Sequence, residues 1–118
     1  MRRLTEMMNN GFVDVKHQSL NSELVYITEN GNQVGSLILI YNGNKASIFS
    51  VEVLGNHRGK GYGKKLVENA IQRCRENSCY LIELNTEVDN MIANKLYDSL
   101  GFELKGLKDD FNNYIKVL

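Results

Sequence analysis

The spacing of apolar residues in the first half of the chain predicts β-strands. Three apolar runs rich in β-branched residues are strand candidates, at residues 24–28, 34–41 and 46–54. The pairs Asn30-Gly31 and Asn42-Gly43 stand between these runs, and both are typical of tight hairpin turns. We therefore predict an antiparallel meander of three strands.

Further along the chain the apolar period becomes that of an α-helix. Five residues at this spacing predict an amphipathic helix over residues 63–76, namely Leu66, Val67, Ala70, Ile71 and Cys74. A strand at residues 80–86 follows, and then a second helix that Asp89 can cap and Gly101 can end. The apolar face of the second helix consists of Ile92, Ala93, Leu96, Tyr97 and Leu100.

Two last strands, at residues 102–107 and 114–118 around the polar turn KDDFNN, complete the order β-β-β-α-β-α-β-β. This order predicts an α+β fold with a mixed, mostly antiparallel sheet of about six strands. One central βαβ unit should have a right-handed crossover and parallel strands. The length predicts a single domain over residues 1–118, in which residues 1–22 are poorly patterned and form a short helix or no regular structure.

Composition is that of an ordinary globular domain, since 42% of the residues are hydrophobic and 24% are charged. No apolar run approaches the roughly 20 residues that span a bilayer, and the start lacks the apolar run of a secretory signal. We therefore expect a cytoplasmic protein with no membrane partner. The net charge of +0 also argues against nucleic acid as a partner, because nucleic-acid-binding proteins usually carry a basic surplus.

The sequence around the two cysteines, Cys74 and Cys79, gives no sign that either thiol is catalytic or binds a metal. No metal-ligand spacing surrounds them, and nothing places His17 or His57 beside either thiol. We therefore expect reduced and mostly buried cysteines, and no metal site.

The stretch NHRGKGYGKKLV, residues 56–67, places glycines and cations between a predicted strand and a predicted helix. The first N–H groups of a helix lack internal partners and the helix dipole adds positive charge, so this loop predicts an anion site. The spacings of the Walker and dinucleotide motifs both fail here. The pattern [RQ]xxGxG fits through Arg58, Gly61 and Gly63, and from the loop alone a solvated glycine-rich turn is the alternative.

A second motif follows the strand at residues 80–86. It is NMIANKLYDSLGF, residues 90–102, which has the form NxxAxxLYxxxGF. Together with RGKGYG about 27 residues earlier, it resembles the GNAT superfamily of acetyl-CoA-dependent N-acetyltransferases over residues 24–118. The resemblance implies the GNAT fold, acetyl-CoA as the cofactor, and transfer of its acetyl group to a primary amine by direct attack.

The resemblance also implies roles for individual residues. Val51 and Val53 would pair with the pantetheine arm through their backbone, and the Val53 N–H would polarise the thioester carbonyl. Asn90 would contact the cofactor, and Tyr97 would lie near its sulfur as general acid to the CoA thiolate. The pyrophosphate would be held by the loop residues Arg58, Gly59, Lys60, Gly61, Tyr62, Gly63 and Lys64.

The general base is where this chain departs from the family. The family often places Glu, His or Tyr early on the strand before the glycine loop, and Ser47 and Phe49 stand there instead. Glu52 alternates to the other face from the two cofactor-binding valines, unless a bulge re-aims it. We expect a water to relay the proton, held by the Ser47 hydroxyl or by Glu83 or Asn85 of the next strand.

The front of the chain is also shorter than in the family, which commonly has two helices after its first strand as one wall of the acceptor site. Here about 23 residues precede the strand at residues 24–28, and ENGN joins it directly to the next strand. The groove is then open to a protein or peptide amine, or a second subunit completes it, or the chain is a non-catalytic acyl-CoA-binding module. An open apolar groove favours a homodimer, and a small-molecule amine is the alternative acceptor.

Overall fold

The computed structural model describes residue 11 and residues 13–118. The strands in this part of the chain are β1 (Val13–Ser19), β2 (Ser22–Glu29), β3 (Asn32–Asn42), β4 (Lys45–Val53), β5 (Leu81–Glu87), β6 (Glu103–Lys108) and β7 (Phe111–Val117). Its helices are α1 (Tyr62–Glu76) and α2 (Met91–Ser99), and a 3-10 turn, Gly55–His57, precedes α1. Neither of these two helices is long and apolar enough to cross a membrane.

The strands join in one sheet of seven, in the order β1-β2-β3-β4-β5-β7-β6. Neighbouring strands are antiparallel except β4 and β5, which are parallel and which α1 connects. The predicted α+β fold, with a mostly antiparallel sheet and a central βαβ unit, is therefore confirmed. The sheet has one strand more than the six predicted.

The additional strand is β1, which lies in the segment predicted to form a short helix or no regular structure. Its Val13 and Val15 stand opposite Ile27 and Val25 of β2. Only these two apolar positions alternate with polar ones, so the pattern is too short to predict a strand. The rest of the segment, residues 1–10 and 12, lies outside the described residues.

Two other boundaries differ from the prediction. The β6–β7 turn consists of Asp109 and Asp110, with φ of 51° and 65°, so β7 begins at Phe111 inside the stretch predicted as a turn. Aspartate tolerates this left-handed backbone, which allows a turn of only two residues. Helix α2 is capped by Asn90 rather than by Asp89, because the Asn90 side chain accepts a hydrogen bond from the first helical turn at 3.2 Å.

Both helices pack on one face of the sheet, which we call the covered face. Helix α1 lies across β1 to β4, and the Tyr97 ring of α2 packs on the Tyr114 ring of β7. The core between them is formed by alternate strand positions and the apolar face of α1. Its buried residues include Val25, Ile27, Leu37, Leu39, Ala46, Ile48, Leu66, Val67, Ala70, Cys74, Ile82 and Leu84.

The opposite face of the sheet, which we call the open face, carries the other alternate positions of the strands. Neither described helix packs on it. Leu20 and Asn21 alone join β1 to β2, so no helix lies between the first two described strands. Partly or fully exposed side chains on this face include Leu24, Ile38, Ile40, Ser47, Phe49, Glu83 and Ile115.

Candidate active site

A cleft opens where the parallel strands β4 and β5 separate. Their pairing ends at Ile48 opposite Leu84, although β4 continues to Val53. The cleft has a volume of about 990 Å³. It is lined by every predicted site residue except Lys60, namely Val51, Val53, Arg58, Gly59, Gly61, Tyr62, Gly63, Lys64, Glu83, Asn85, Asn90 and Tyr97.

The glycine loop ends in a helix start with unpaired backbone donors. Gly61 is the N-cap of α1, has φ of 78° and makes no side-chain cap. The first helical hydrogen bond runs from the Lys65 N–H to the Gly61 carbonyl at 3.1 Å. The N–H groups of Tyr62, Gly63 and Lys64 therefore have no partner within the helix. Such a helix start, lining a cleft, can bind an anion.

The last residues of β4 turn backbone groups towards the cleft. The Leu54 N–H donates to the Val34 carbonyl of β3 at 2.9 Å, and Val53 stands opposite Gly35. In an antiparallel ladder this arrangement directs the N–H and C=O of Val53 away from β3. Arg58 Nε donates to the Val53 carbonyl at 3.0 Å. The Val53 N–H, on the same side, can therefore donate to a group bound in the cleft.

A β-bulge in β4 changes which of its side chains share a face. Phe49 stands opposite Ile38 and Glu52 opposite Ser36, so three steps along β4 match two along β3. At the bulge, Ser50 has a φ of 54°. Glu52 consequently shares the open face with Phe49 and lines the cleft. The sequence alone could not decide whether β4 contains a bulge. The bulge is present, and it makes Glu52 a candidate base.

Tyr97 is buried, with 4% of its surface exposed, and lines the cleft. Its ring makes an edge contact with Phe102 and a tilted contact with Tyr114, with centroids 5.9 and 5.8 Å apart. Burial raises the pKa of the Tyr97 phenol to about 12. The hydroxyl therefore stays protonated at neutral pH and is a hydrogen-bond donor.

Glu83 and Asn85 lie on the open face of β5 and are held by neighbouring strands. Ser47 Oγ donates to Glu83 Oε1 at 3.2 Å, and Asn113 Nδ2 donates to Asn85 Oδ1 at 2.9 Å. The structure thus brings Ser47, Glu83 and Asn85, which the sequence grouped as holders of a relay water, together at the cleft.

Cationic and anionic side chains line different sides of the cleft. Its cations all belong to the loop segment and the first turn of α1, and they are Arg58 and Lys64, with His57 beside them. Its carboxylates all lie on the open face, and they are Glu52, Glu83 and Glu87. The loop side therefore suits an anion, and the open-face side suits a cation.

Sequence reasoning missed Asn94, which fixes α2 against the sheet. Its Nδ2 donates to the carbonyls of Asn90 and Glu87, at 2.8 and 3.0 Å. Its Oδ1 accepts from the Tyr114 hydroxyl at 2.7 Å and from Asn112 Nδ2 at 2.9 Å. The signal was an asparagine, a poor helix former, in the middle of a short helix.

The ammonium of Lys60 lies against a carboxylate of β2 rather than in the cleft lining. Its Nζ is 3.1 Å from Glu29 Oε1 and 3.2 Å from Oε2. His57 and Tyr62 contact the same carboxylate. Only the backbone of Lys60 is therefore still a candidate for the phosphate site. Spacing along the chain could not reveal Glu29, because it lies in the distant ENGN stretch.

Comparison with known proteins identifies the family. The sequence model of the acetyltransferase (GNAT) family matches residues 4–102. The chain therefore belongs to this family, whose members characteristically use acetyl-CoA. The resemblance inferred from the two motifs is confirmed.

One curated relative is N-alpha-acetyltransferase 30 of Saccharomyces cerevisiae, which is 46% identical over 50 residues. These residues are 42% of this chain and 28% of the relative, so the match spans less than a third of that protein.

Two solved structures show the shared fold. The paia N-acetyltransferase of Thermoplasma acidophilum in complex with coenzyme A matches with a TM-score of 0.80 and 17% identity, over 84% of this chain and 62% of that chain. The ribosomal-protein-alanine N-acetyltransferase of Brucella melitensis matches with a TM-score of 0.72 and 25% identity, over 82% of this chain and 69% of that chain.

Proposed function

We propose that this chain is an N-acetyltransferase that moves an acetyl group from acetyl-CoA to a primary amine. The observation that supports this most is a single cleft lined by the start of α1, the end of β4 and Tyr97. These supply an anion site, a backbone donor for a carbonyl oxygen and a hydroxyl donor for a leaving thiolate.

The cofactor would lie with its pyrophosphate on the glycine loop and its thioester between β4 and α2. The pyrophosphate accepts from the N–H groups at the start of α1, and Arg58 and Lys64 add charge. The pantetheine arm pairs with the backbone of Val51 and Val53, where β5 no longer pairs with β4. Because the Asn90 oxygen caps α2, its Nδ2 is the atom that would contact the cofactor.

In the reaction the amine attacks the thioester carbonyl carbon while both substrates are bound. The carbonyl oxygen gains negative charge, and the Val53 N–H donates to it. The C–S bond then breaks and its electron pair leaves on sulfur, close to Tyr97. The products are the acetylated amine, CoA and the proton lost by the amine.

The pKa of Tyr97 determines whether its hydroxyl transfers a proton to the leaving sulfur or only donates a hydrogen bond to it. Burial raises this pKa to about 12, whereas an ordinary thiol has a pKa of about 8.5. Complete proton transfer from the phenol to the thiolate is therefore uphill. Tyr97 would act as general acid chiefly through a charge-assisted hydrogen bond to the leaving sulfur.

A base must take a proton from the amine. Glu52 and Glu83 on the open face are the carboxylates that line the cleft near the end of the paired region. We propose that one of them receives the proton through a water held by Ser47 and Asn85.

We favour a protein or peptide amine as the acceptor, with a small-molecule amine as the alternative. Neither described helix covers the open face, so a large acceptor can reach the cleft from that side. The carboxylates Glu52, Glu83 and Glu87 attract a cationic amine. The name of one structural relative, ribosomal-protein-alanine N-acetyltransferase, also specifies a protein acceptor.

We further propose a homodimer in which the second copy covers the β1–β3 part of the open face and leaves the cleft accessible. Leu24, Ile38 and Ile40 are partly exposed there, and an apolar patch of this kind favours association. Light scattering would show a mass of twice 13.4 kDa. Cys74 and Cys79 are buried and unpaired, which fits a reducing cytoplasm.

A second candidate function is a non-catalytic acyl-CoA-binding module. Glu83 and Asn85 are already engaged by Ser47 and Asn113, and this leaves them fewer hydrogen-bonding positions for a relay water, which favours a site that binds without turnover. Thiol release from acetyl-CoA, measured over peptides with free N-termini and over small amines, separates the two candidates. Acceptor-dependent release supports the enzyme, whereas CoA binding without release across the panel establishes the binding module.

The substitution Tyr97→Phe tests the mechanism. A hydrogen bond to a charged group is worth about 1.5–3 kcal/mol, so kcat should fall about 10- to 100-fold while the Kd of CoA stays within about twofold. Tyr80→Phe, at an exposed tyrosine outside the cleft lining, is the control and should change neither quantity. An unchanged kcat in Tyr97→Phe would remove this residue from the mechanism.

A further inference from the structure

One carboxylate, Glu29 at the end of β2, contacts three side chains of the glycine-loop segment. His57 Nδ1 is 2.7 Å from Glu29 Oε2, Lys60 Nζ is 3.1 Å from Oε1, and the Tyr62 hydroxyl donates to Oε1. The Glu29 side chain is 18% exposed, so these contacts lie in a partly dehydrated position.

The three contacts are distributed along the loop. His57 ends the 3-10 turn, Lys60 lies between Gly59 and Gly61, and Tyr62 is the first residue of α1. Gly59 and Gly61 both have φ of 78° and have no neighbouring atoms within 4 Å of the position of a Cβ. Glycines of this kind are the most flexible backbone positions. The contacts with Glu29 therefore fix the loop on both sides of each flexible glycine.

The Glu29 carboxylate keeps its charge at neutral pH. The hydrogen bonds from Tyr62 and Lys60 lower the pKa of the Glu29 carboxyl to about 2. The carboxylate is therefore ionised, and it orients Lys60 towards β2 while the backbone around Lys60 stays at the cleft.

We infer that Glu29 is a positioning residue for the nucleotide half of acetyl-CoA: it holds the loop in the shape in which the N–H groups of Gly61 to Lys64 converge on the pyrophosphate. This inference rests on the proposed function, because it takes the loop to be the pyrophosphate site. Glu29 does not itself line the cleft, and it acts through its three partners, of which His57 and Tyr62 line the cleft.

Two physical effects of Glu29 on an anion site oppose each other. As a positioning group it strengthens binding of the pyrophosphate, whereas as a negative charge near the site it repels the phosphates. Lys60 and Tyr62 neutralise or hydrogen-bond the carboxylate, and this shields its charge from the cleft. Positioning should therefore prevail, so removing Glu29 weakens binding, whereas charge alone predicts that its removal tightens binding.

The test compares Glu29→Ala with wild type for two ligands, CoA by calorimetry and S-acetylpantetheine by NMR titration. S-acetylpantetheine lacks the pyrophosphate and the adenosine. We expect the Kd of CoA to rise about tenfold, the effect of a modest misplacement of binding groups, while the Kd of S-acetylpantetheine stays within about twofold. Glu68→Ala, which removes an exposed charge from α1, is the matched control and should change neither Kd.

Two further variants separate an effect on the loop from a general loss of folded protein. Glu29→Gln retains the size of the side chain and can still accept from Tyr62, so its Kd for CoA should lie between those of wild type and Glu29→Ala. Lys60→Met combined with Glu29→Ala should weaken binding less than the product of the single effects, because both changes release the same loop.

Each outcome decides between the alternatives. Unchanged or tighter CoA binding in Glu29→Ala overturns the inference, as does equal weakening for CoA and S-acetylpantetheine. If the wild-type protein binds no CoA, the proposed function fails, and this result is distinguishable from a failure of the Glu29 inference.

Discussion

Strand β2 carries a glutamate near each end, and both lie under α1 in clusters of matching chemistry. Each carboxylate contacts one cation, one tyrosine and one histidine. For Glu23 the partners are Arg73, Tyr41 and His17. For Glu29 they are Lys60, Tyr62 and His57.

The two clusters differ in burial and in where the partners come from. Glu23 is 2% exposed, and its partners belong to β1, β3 and α1, so it connects three elements across the covered face. Glu29 is 18% exposed, and its partners all lie within residues 57–62. The same set of groups therefore stabilises the whole fold at one end of α1 and shapes a single loop at the other.

Both carboxyls are held in the ionised form, but the effects that raise and lower the pKa differ between them. Burial raises the pKa of the Glu23 carboxyl, but the hydrogen bonds from Arg73 and Tyr41 and the charge of Arg73 outweigh it, so this pKa lies below its ordinary value. For Glu29 the hydrogen bonds from Tyr62 and Lys60 are the largest effects, and they lower the pKa to about 2 although burial opposes them. Because Glu23 is the more deeply buried of the two carboxylates, removing a partner should cost more unfolding free energy in its cluster.

The substitution Arg73→Met should give the largest effect. It leaves the Glu23 carboxylate buried without its cation, and breaking a buried pair in this way costs about 3–5 kcal/mol. Because Arg73 is 27% exposed, we expect about 3 kcal/mol in the free energy of unfolding, measured with urea. The matched change Lys60→Met should cost clearly less, and Arg73→Met should leave the Kd of CoA unchanged. Equal losses in the two variants would erase the distinction between the clusters.

An intermediate effect is expected from alanine at two glycines with left-handed backbone. Gly61 has φ of 78° and Gly31 has φ of 79°, and an added Cβ meets no atom within 4 Å at either. Each change to alanine should therefore cost about 1–2 kcal/mol of unfolding free energy from backbone strain alone. Only Gly61→Ala should also raise the Kd of CoA, because Gly61 is the N-cap that presents the loop donors. A similar rise in Gly31→Ala would mean that the effect on CoA is not local.

The smallest effect should appear in the pH dependence of stability. The folded pKa of Glu29 is lowered from 4.5 to about 2, so its contribution is fully present above pH 4.5 and is lost as pH falls towards 2. Glu29→Gln lacks this titration. The difference in unfolding free energy between wild type and Glu29→Gln should be constant near neutral pH and shrink in acid. A difference that persists to pH 2 would contradict the assigned pKa.

The parts of the fold that sequence predicted are those governed by local spacing. Strands with three or more alternating apolar positions and the helix marked by Leu66 to Cys74 were predicted because a period of two or of 3.6 residues is visible in a short window. Strand β1, with Val13 and Val15 alone, lies below that limit. It forms because β2 offers a complementary edge, which is information held elsewhere in the chain.

The same distinction between local spacing and distant contacts applies to the candidate site. The loop glycines and the motif around Tyr97 are contiguous, so their spacing could be read directly. The bulge at Ser50, which re-aims Glu52, depends on pairing with β3. Likewise, the contacts of Glu29 with Lys60 and Tyr62 depend on how β2 lies against the start of α1. Neither feature has a signature in the residues that flank it.

The short turn at Leu20 and Asn21 has a consequence for the fate of the thioester. Neither described helix covers the open face, so in the proposed mechanism the described residues leave the side of the cleft from which the amine would attack open to water. Water and amine would then compete for the same carbonyl carbon, because the described residues would not exclude solvent from it. The yield of acetylated product would then depend on whether the bound acceptor reacts with the thioester faster than water hydrolyses it. The ratio of free acetate to acetylated product would report that competition directly.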